Sequence, residues 1–514
     1  MATYYVHNFG CRATQADGAA IERQFNERGL ERAAGPNEAR IVVLNTCTVT
    51  ASADQDARAA IRRVHRENPD ARIIVTGCYA QRSPGEIAAL PGVAQVVGNS
   101  HKHQLADIAL LQRPQSGQPC SPEDFVTTDG DRPTFPRLSG QTSAGSAFVP
   151  LSSLRTENRE PRTALFVSDI FAHTEFLAAP VFDAANERTR PNLKVQDGCD
   201  NRCSFCVIPY VRGQSRSLKL EQTLNEVSTL VSAGYRELVV SGINLGRWGR
   251  DLEAGLPFHM SIASRGPREV FQTPNTEHRT PDFVSLLRAI LDTTFLEKLR
   301  ISSVEPMDWT DELIALVAES PRIAKHAHVP MQSGSDAVLR RMHRKYRPWH
   351  YREKIEKIRA AMPGAAIGAD VMVGFPGETD AEFEETRRMI EDLPFTYLHV
   401  FTYSARPGTP AADMPRQVPV HVARERNRIL RDLAAQKKHA FMQSFVGKTL
   451  DAITLASGAD TPVREPSDDT FTEALTDNYL SARLRGRFEA NHWMQVRVAA
   501  VEAGKLVGAF NPQL

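Results

Sequence analysis

The segment QDGCDNRCSFC places Cys199, Cys203 and Cys206 at C-x3-C-x2-C. Three thiolates at that spacing can hold three corners of a cubane iron–sulfur cluster. The fourth iron then has no protein ligand, and an open metal position is a reactive one. It can chelate the amino and carboxylate groups of a methionine moiety, whose sulfonium an electron from the cluster can cleave. The competing reading is structural zinc. Zinc wants a fourth Cys or His nearby, and this spacing without a partner is unusual for it.

Cys11, Cys47 and Cys78 lie about 30 residues apart, so their spacing alone says little. Each directly follows an apolar strand candidate: YYVHNFGC, IVVLNTC and RIIVTGC. Strand C-termini of a parallel sheet share one edge, where ligands bind. Three loops at that edge could gather a second trio of thiolates, again leaving one iron free. The bland alternative is three small buried residues that happen to end strands. Cys120, in SGQPCSPED, has no evident partner and reads as incidental. Seven cysteines, odd and sparse, argue against a disulfide framework.

Elements that would position these groups follow from the patterning. At 514 residues, two to four domains are expected. Net charge is +1, so nucleic-acid binding would need local basic patches. No apolar run is long enough to span a membrane, and MATYYVHNFGC lacks the layout of a secretory signal, so the cytoplasm is the default. Residues 1–112 alternate strand and helix patterns, as in a doubly wound parallel sheet. Residues 113–190 are rich in Pro, Ser, Gly and Thr and read as a partly disordered linker, with a possible strand near 163–170. Residues 191–445 resume the alternation in about six βα units, an open or partial barrel, with a polar insertion at 252–282. A basic helix spans 418–445, and residues 446–514 read as a small β-barrel. The fold class expected is therefore α/β with a small C-terminal barrel.

These motifs together resemble the methylthiotransferase family of radical-SAM enzymes. The resemblance covers residues 3–112 and 191–510 and rests on FGCRATQADG, LNTCTVTASAD, IVTGCYAQRSP, VQDGCDNRCSFCVIPYVRGQSRS, VVSGINLGRWG, RISSVEP, VPMQSGSDAVLRRMHRKY, DVMVGFPGETDAEFEET and HVFTYSARPGTPA. It implies two [4Fe–4S] clusters and S-adenosylmethionine (SAM). Cys199, Cys203 and Cys206 would hold the SAM-cleaving cluster. Cys11, Cys47 and Cys78 would hold an auxiliary cluster carrying the sulfur to be transferred. One SAM would methylate that sulfur, and a second would yield the radical that opens an unactivated C–H bond.

NTCTVT, IRRVHRENPD, TGCYAQ and RRMHRKY point within the family to the threonylcarbamoyladenosine tRNA methylthiotransferases, which act at tRNA position 37. FGCRATQADG departs from the stretch usual there. The alternatives are isopentenyladenosine tRNA and a ribosomal-protein aspartate as substrates. Partners implied are tRNA and an electron donor of flavodoxin or ferredoxin type, with the enzyme a monomer.

By the same resemblance, strand ends on the cluster side of the barrel offer cofactor contacts. Ser241, Gly242 and Asn244 would sit near the methionine part of SAM, and Ser303, Glu305 and Gln332 near its ribose or amino groups. Plain βα turns are the alternative. Asp370 lies in the apolar run ADVMVGF and must be paired or face the site. Arg212 and Arg216 could meet a phosphate or the SAM carboxylate, a surface ion pair being the alternative. The C-terminal region resembles a TRAM domain, an RNA-binding barrel. Arg483, Arg485 and Arg487 would line one strand face there, unless that strand is merely a solvated edge.

Overall fold

Three apolar runs that each end at a cysteine become neighbouring parallel strands. The computed structural model describes residues 2–111, 163–173, 175–177, 190–252, 281–456 and 471–510. In it, β1 (Thr3–Asn8), β2 (Glu31–Arg32), β3 (Ile41–Thr46), β4 (Arg72–Gly77), β5 (Val93–Val97) and β6 (Ala164–Phe166) form a parallel sheet. Its order is β2-β1-β3-β4-β5-β6. β6 is the strand expected near 163–170, so part of the stretch read as a linker belongs to this sheet. Cys120 and most of the two stretches read as linker and insertion lie outside the described residues.

Helices cover both faces. Ile21 and Phe25 of α1 (Arg12–Glu27) pack with Ile41 and Val43. Ala57, Ile61 and Val64 of α2 (Ala51–Glu67) pack with Val42 and Leu44. Successive β3 residues thus serve opposite helix layers, as strand alternation demands. Thr50 caps α2 by accepting from the Ala53 N–H.

The second unit is an arc of six parallel strands: β7 (Asn192–Asp197), then, beyond the short antiparallel β8 (Arg216–Ser217) at its edge, β9 (Glu237–Gly242), β10 (Lys298–Ile301), β11 (His326–His328), β12 (Ala366–Val373) and β13 (Tyr397–Thr402). A parallel bridge between Ser303 and His328 carries the arc from β10 to β11. It does not close: β13 has β12 as its only strand neighbour among the described residues. α1 docks against β7, where Asn192 Nδ2 donates to the Arg12 carbonyl at 3.1 Å.

The basic helix forms at Val420–Gln443 and packs under β13. Arg426 is buried on Glu378 at 2.7 Å, and Arg428 pairs with Glu425 and Asp432 on its own helix. Arg426 thus serves the fold, while Arg428 is exposed and matched by acidic neighbours.

β14 (Thr449–Thr454), β15 (Phe471–Thr476), β16 (Ser481–Arg485), β17 (Trp493–Glu502) and β18 (Lys505–Phe510) close a small barrel. The turn after β15 plugs the N-terminal end of the six-strand arc. Arg300 donates to the Asp477 carbonyl at 3.1 Å, Asn478 Nδ2 donates to the Gly364 carbonyl at 3.0 Å, and the Tyr479 ring lies 4.4 Å from that of His326. Among the described residues, no helix is long and apolar enough to cross a membrane.

Candidate active site

β1, β3 and β4 are adjacent and in register at their C-terminal ends, with Asn8 opposite Asn45 and Thr46 opposite Gly77. Cys11, Cys47 and Cys78 therefore leave the sheet at one edge. Two glycines let the loops crowd. A Cβ on Gly10 (φ +91°) would stand 2.7 Å from Cys47 Cβ, and one on Gly77 (φ +97°) would stand 2.3 Å from the Thr46 carbonyl oxygen. Cys47 and Cys78 are buried and Cys11 is exposed. Burial pushes the Cys47 thiol up to about 12, and Cys78 and then Cys11 add to it, so both other sulfurs lie within reach of Cys47. Thr14 Oγ1 sits 3.5 Å from Cys11 Sγ, and Asn99 Nδ2 donates to Cys78 Sγ at 3.6 Å.

The other trio occupies the loop after β7. Burial, followed by Cys203, pushes the Cys206 thiol up to about 12; burial also raises Cys199. Donors face the sulfurs: the Asn201 N–H at 3.4 Å and Asn244 Nδ2 at 3.6 Å to Cys199, and Arg344 Nη1 at 3.3 Å to Cys203. Ser204 Oγ anchors the loop by donating to the Arg341 carbonyl at 2.8 Å. Among the described residues, no three His, Cys, Asp or Glu side chains converge as ligands of a single ion would. In a cubane each thiolate binds a different iron, which spreads the ligands apart. Grouped thiols, from buried to exposed, with N–H donors at hand and no fourth ligand residue among the described residues, form a donor set that fits such clusters.

The residues expected to meet SAM fall on successive strand ends of the arc. Ser241 Oγ and Asn244 Oδ1 are buried and have no hydrogen-bond partner among the described residues. Gly242 lies against Gln196, where a Cβ would come within 2.9 Å of that side chain. Ser303 bridges to His328. Glu305 is ion-paired with Arg344. Gln332 bridges to β12 at Val371 with φ +61°. Asp370 is paired, with His328 Nε2 3.2 Å away. His328 and His399 stack at 5.4 Å, and Phe401 follows along the same face of β13.

Three expectations need correction. Arg212 is neither a surface ion pair nor a ligand contact: it is buried between Asp17 and Asp197, 2.9 Å from each. Arg216 donates to the carbonyls of His173 and Arg212. Arg483 and Arg485 share a strand face, but β16 ends at Arg485, so Arg487 lies beyond it; Arg483 pairs with Glu473 at 3.2 Å. Arg344 and Asn99 escaped the sequence reading, since nothing in the chain marks a residue that will reach a sulfur from a distant element.

The family described as "Radical SAM superfamily" matches residues 193–390, and "Uncharacterized protein family UPF0004" matches residues 3–98. The first match spans most of the strand arc with its cysteine loop, and it defines the class: a radical-SAM enzyme. The threonylcarbamoyladenosine tRNA methylthiotransferase MtaB of Bacillus subtilis (strain 168) is 35% identical over 95% of this chain and 91% of its own length. The enzyme of that name from Aquifex aeolicus (strain VF5) is 31% identical over 95% and 98%. The tRNA-2-methylthio-N(6)-dimethylallyladenosine synthase of Acidothermus cellulolyticus is 32% identical over 98% and 84%. The chain belongs to the radical-SAM methylthiotransferase family.

Proposed function

We propose that this enzyme adds a methylthio group to C2 of N6-threonylcarbamoyladenosine at tRNA position 37. One observation carries the reading: two cysteine trios stand at the C-terminal edges of two parallel sheets that dock through α1 and β7. Cys199, Cys203 and Cys206 would hold the cluster that binds SAM, and Cys11, Cys47 and Cys78 the auxiliary cluster. When bound, these groups supply the electron, the radical that opens an inert C–H bond, and the sulfur that replaces the hydrogen.

The chain's own residues do the positioning. Asn201, Asn244 and Arg344 donate to the thiolates, which spreads their charge and sets the potential. The unpartnered Ser241 Oγ and Asn244 Oδ1 suit the amino and carboxylate groups of a methionine moiety.

Arg12, directly after Cys11, favours the carbamoylthreonine substrate over an isopentenyl one. Its side chain makes no hydrogen bond or ion pair among the described residues. Its charge is felt at β13: His399 is pushed down by burial and then by His328, against Asp370, with Arg12 adding a smaller push down. An uncommitted guanidinium whose charge is felt at that strand suits the substrate's carboxylate, which an isopentenyl group lacks. Arg12→Gln is expected to raise KM for such a tRNA about tenfold or more while uncoupled SAM cleavage persists.

An electron donor of flavodoxin or ferredoxin type and a cytoplasmic location accord with a tRNA-modifying radical enzyme. The exposed Arg485 on the C-terminal barrel suits an RNA backbone. The test is anaerobic reconstitution followed by nucleoside mass spectrometry of a supplied tRNA. Appearance of the methylthio derivative of threonylcarbamoyladenosine supports the reading. Modification of isopentenyladenosine instead, or an unchanged profile, overturns it.

A further inference from the structure

Between the two trios lies a buried ionic cluster that no part of the reaction scheme uses. Asp17 of α1 takes Lys102 Nζ at 2.9 Å, Arg212 Nη2 at 2.9 Å and Lys194 Nζ at 2.5 Å. Asp197 takes Arg212 Nη1 at 2.9 Å and Lys194 Nζ at 2.7 Å. All five side chains are nearly or wholly shielded from water. Three basic side chains face two carboxylates; burial pushes Lys102 down and Asp17 holds it up, and with all five ionised the cluster carries one positive charge in excess. Arg212 Nε is buried as well and has no partner among the described residues.

Its members, or residues next to them, are tied to the loop of every candidate ligand. Asp17 sits in the helix that starts at Cys11. Lys102 also donates to Asn45, two residues before Cys47, at 3.2 Å. Asn99, which donates to Cys78 Sγ, donates as well to the carbonyl of Val211, the residue before Arg212, at 2.6 Å. On the other side, Asp197 Oδ1 accepts from the Gly198 N–H at 2.8 Å, next to Cys199, and the Cys199 N–H donates to the Gly213 carbonyl at 3.1 Å.

Burying charge is costly, and a buried ion cluster is weak evidence for stability alone. An apolar contact would dock the two sheets at least as well. What an apolar contact cannot supply is a field. Burial opposes the Arg212 charge, yet Asp17 and Asp197, and then Cys78 and Cys11, hold it well above its ordinary value. The excess positive charge is therefore felt at the auxiliary trio.

We infer that the Asp17–Lys102–Lys194–Asp197–Arg212 cluster is an electrostatic brace that raises the reduction potential of the auxiliary cluster while locking it at a fixed distance from the SAM-binding one. These five are positioning residues. The inference rests on the reading that Cys11, Cys47 and Cys78 hold a [4Fe–4S] cluster. Reduction adds negative charge, so a nearby cation favours it and a nearby anion opposes it.

The test uses the full chain with Cys199, Cys203 and Cys206 all changed to Ala, so that only the auxiliary cluster remains. Its midpoint potential is read by redox titration followed by electron paramagnetic resonance, in that background alone and with Arg212→Gln, Arg212→Lys or Asp17→Asn added. R212Q should lower the potential, D17N should raise it, and R212K should leave it near the parent value. Opposite signs from two changes in one contact set cannot come from loosened packing. Asp17→Asn is nearly isosteric, so the test stands on it alone if R212Q does not fold. A cluster that loads normally but keeps its potential in D17N, or shifts the same way in D17N and R212Q, overturns the brace. A parent protein that binds no iron overturns the auxiliary-cluster reading itself, and the brace with it.

Discussion

Individual side chains around the two trios split into those that hold and those that aim. Arg344 is of the second kind. It donates to Cys203 Sγ, pairs with Glu305, and donates to Tyr346 Oη at 3.3 Å, while Tyr346 Oη donates to the Met331 carbonyl at 2.7 Å. Outer partners of metal ligands commonly affect activity by 10–100-fold when removed. Arg344→Met is therefore expected to cut SAM cleavage by about that factor, with iron content near wild type; unchanged cleavage would remove Arg344 from the site. Cys199, Cys203 and Cys206 were legible as candidate ligands from type and spacing, and Cys11, Cys47 and Cys78 only from their place at the ends of strand candidates. Arg344 was not, because it reaches Cys203 across 141 positions of chain. Arg212 was misread for a related reason: an arginine beside a cluster motif looks like an anion contact, and only folding brings Asp17, 195 positions away, onto it.

Elements matter through where their ends fall. Every strand that ends in a candidate ligand was visible as an apolar run, and parallel order then put the cysteines at one edge. The close approach of the loops was invisible, since it depends on which strands become neighbours. Gly77 tests it: a Cβ there would meet the Thr46 carbonyl in a backbone conformation that L-residues avoid. Gly77→Ala should lower iron by about four per chain while SAM cleavage persists, as measured by iron assay and 5′-deoxyadenosine release. The docking of the C-terminal barrel was equally illegible, because a turn such as TDNYL carries no mark of its receptor. Its anchor, Arg300, is buried with Glu237 at 2.7 Å. Arg300→Ala should cost about 3–5 kcal/mol and lower the melting temperature, since it strips a buried carboxylate of its close partner.

At the scale of the whole molecule, the brace predicts how stability follows pH. Against burial, Arg212, then Lys102 and Lys194, hold the Asp17 carboxyl well below the usual carboxylate range, and Asp197 is likewise depressed by Arg212 and Lys194. A carboxylate depressed in the folded state contributes stability above its unfolded pKa of about 3.9 and loses it as pH falls through the folded value. Thermal unfolding should be flat with respect to these groups near neutrality and fall below about pH 4, and the fall should be shallower in Asp17→Asn. A slope identical in both proteins would contradict that assignment.

Two cysteine trios, each proposed to hold its own cluster, stand at the edges of the docked sheets. Iron and sulfide counts after anaerobic reconstitution test this most directly, in the wild type and in two variants with either trio changed to Ala. About eight irons per chain are expected in the wild type and about four in each variant. The Cys199, Cys203 and Cys206 variant should lose SAM cleavage; the Cys11, Cys47 and Cys78 variant should keep it and lose methylthio transfer. About four irons in the wild type, or no loss on removing residues 11, 47 and 78, would contradict it.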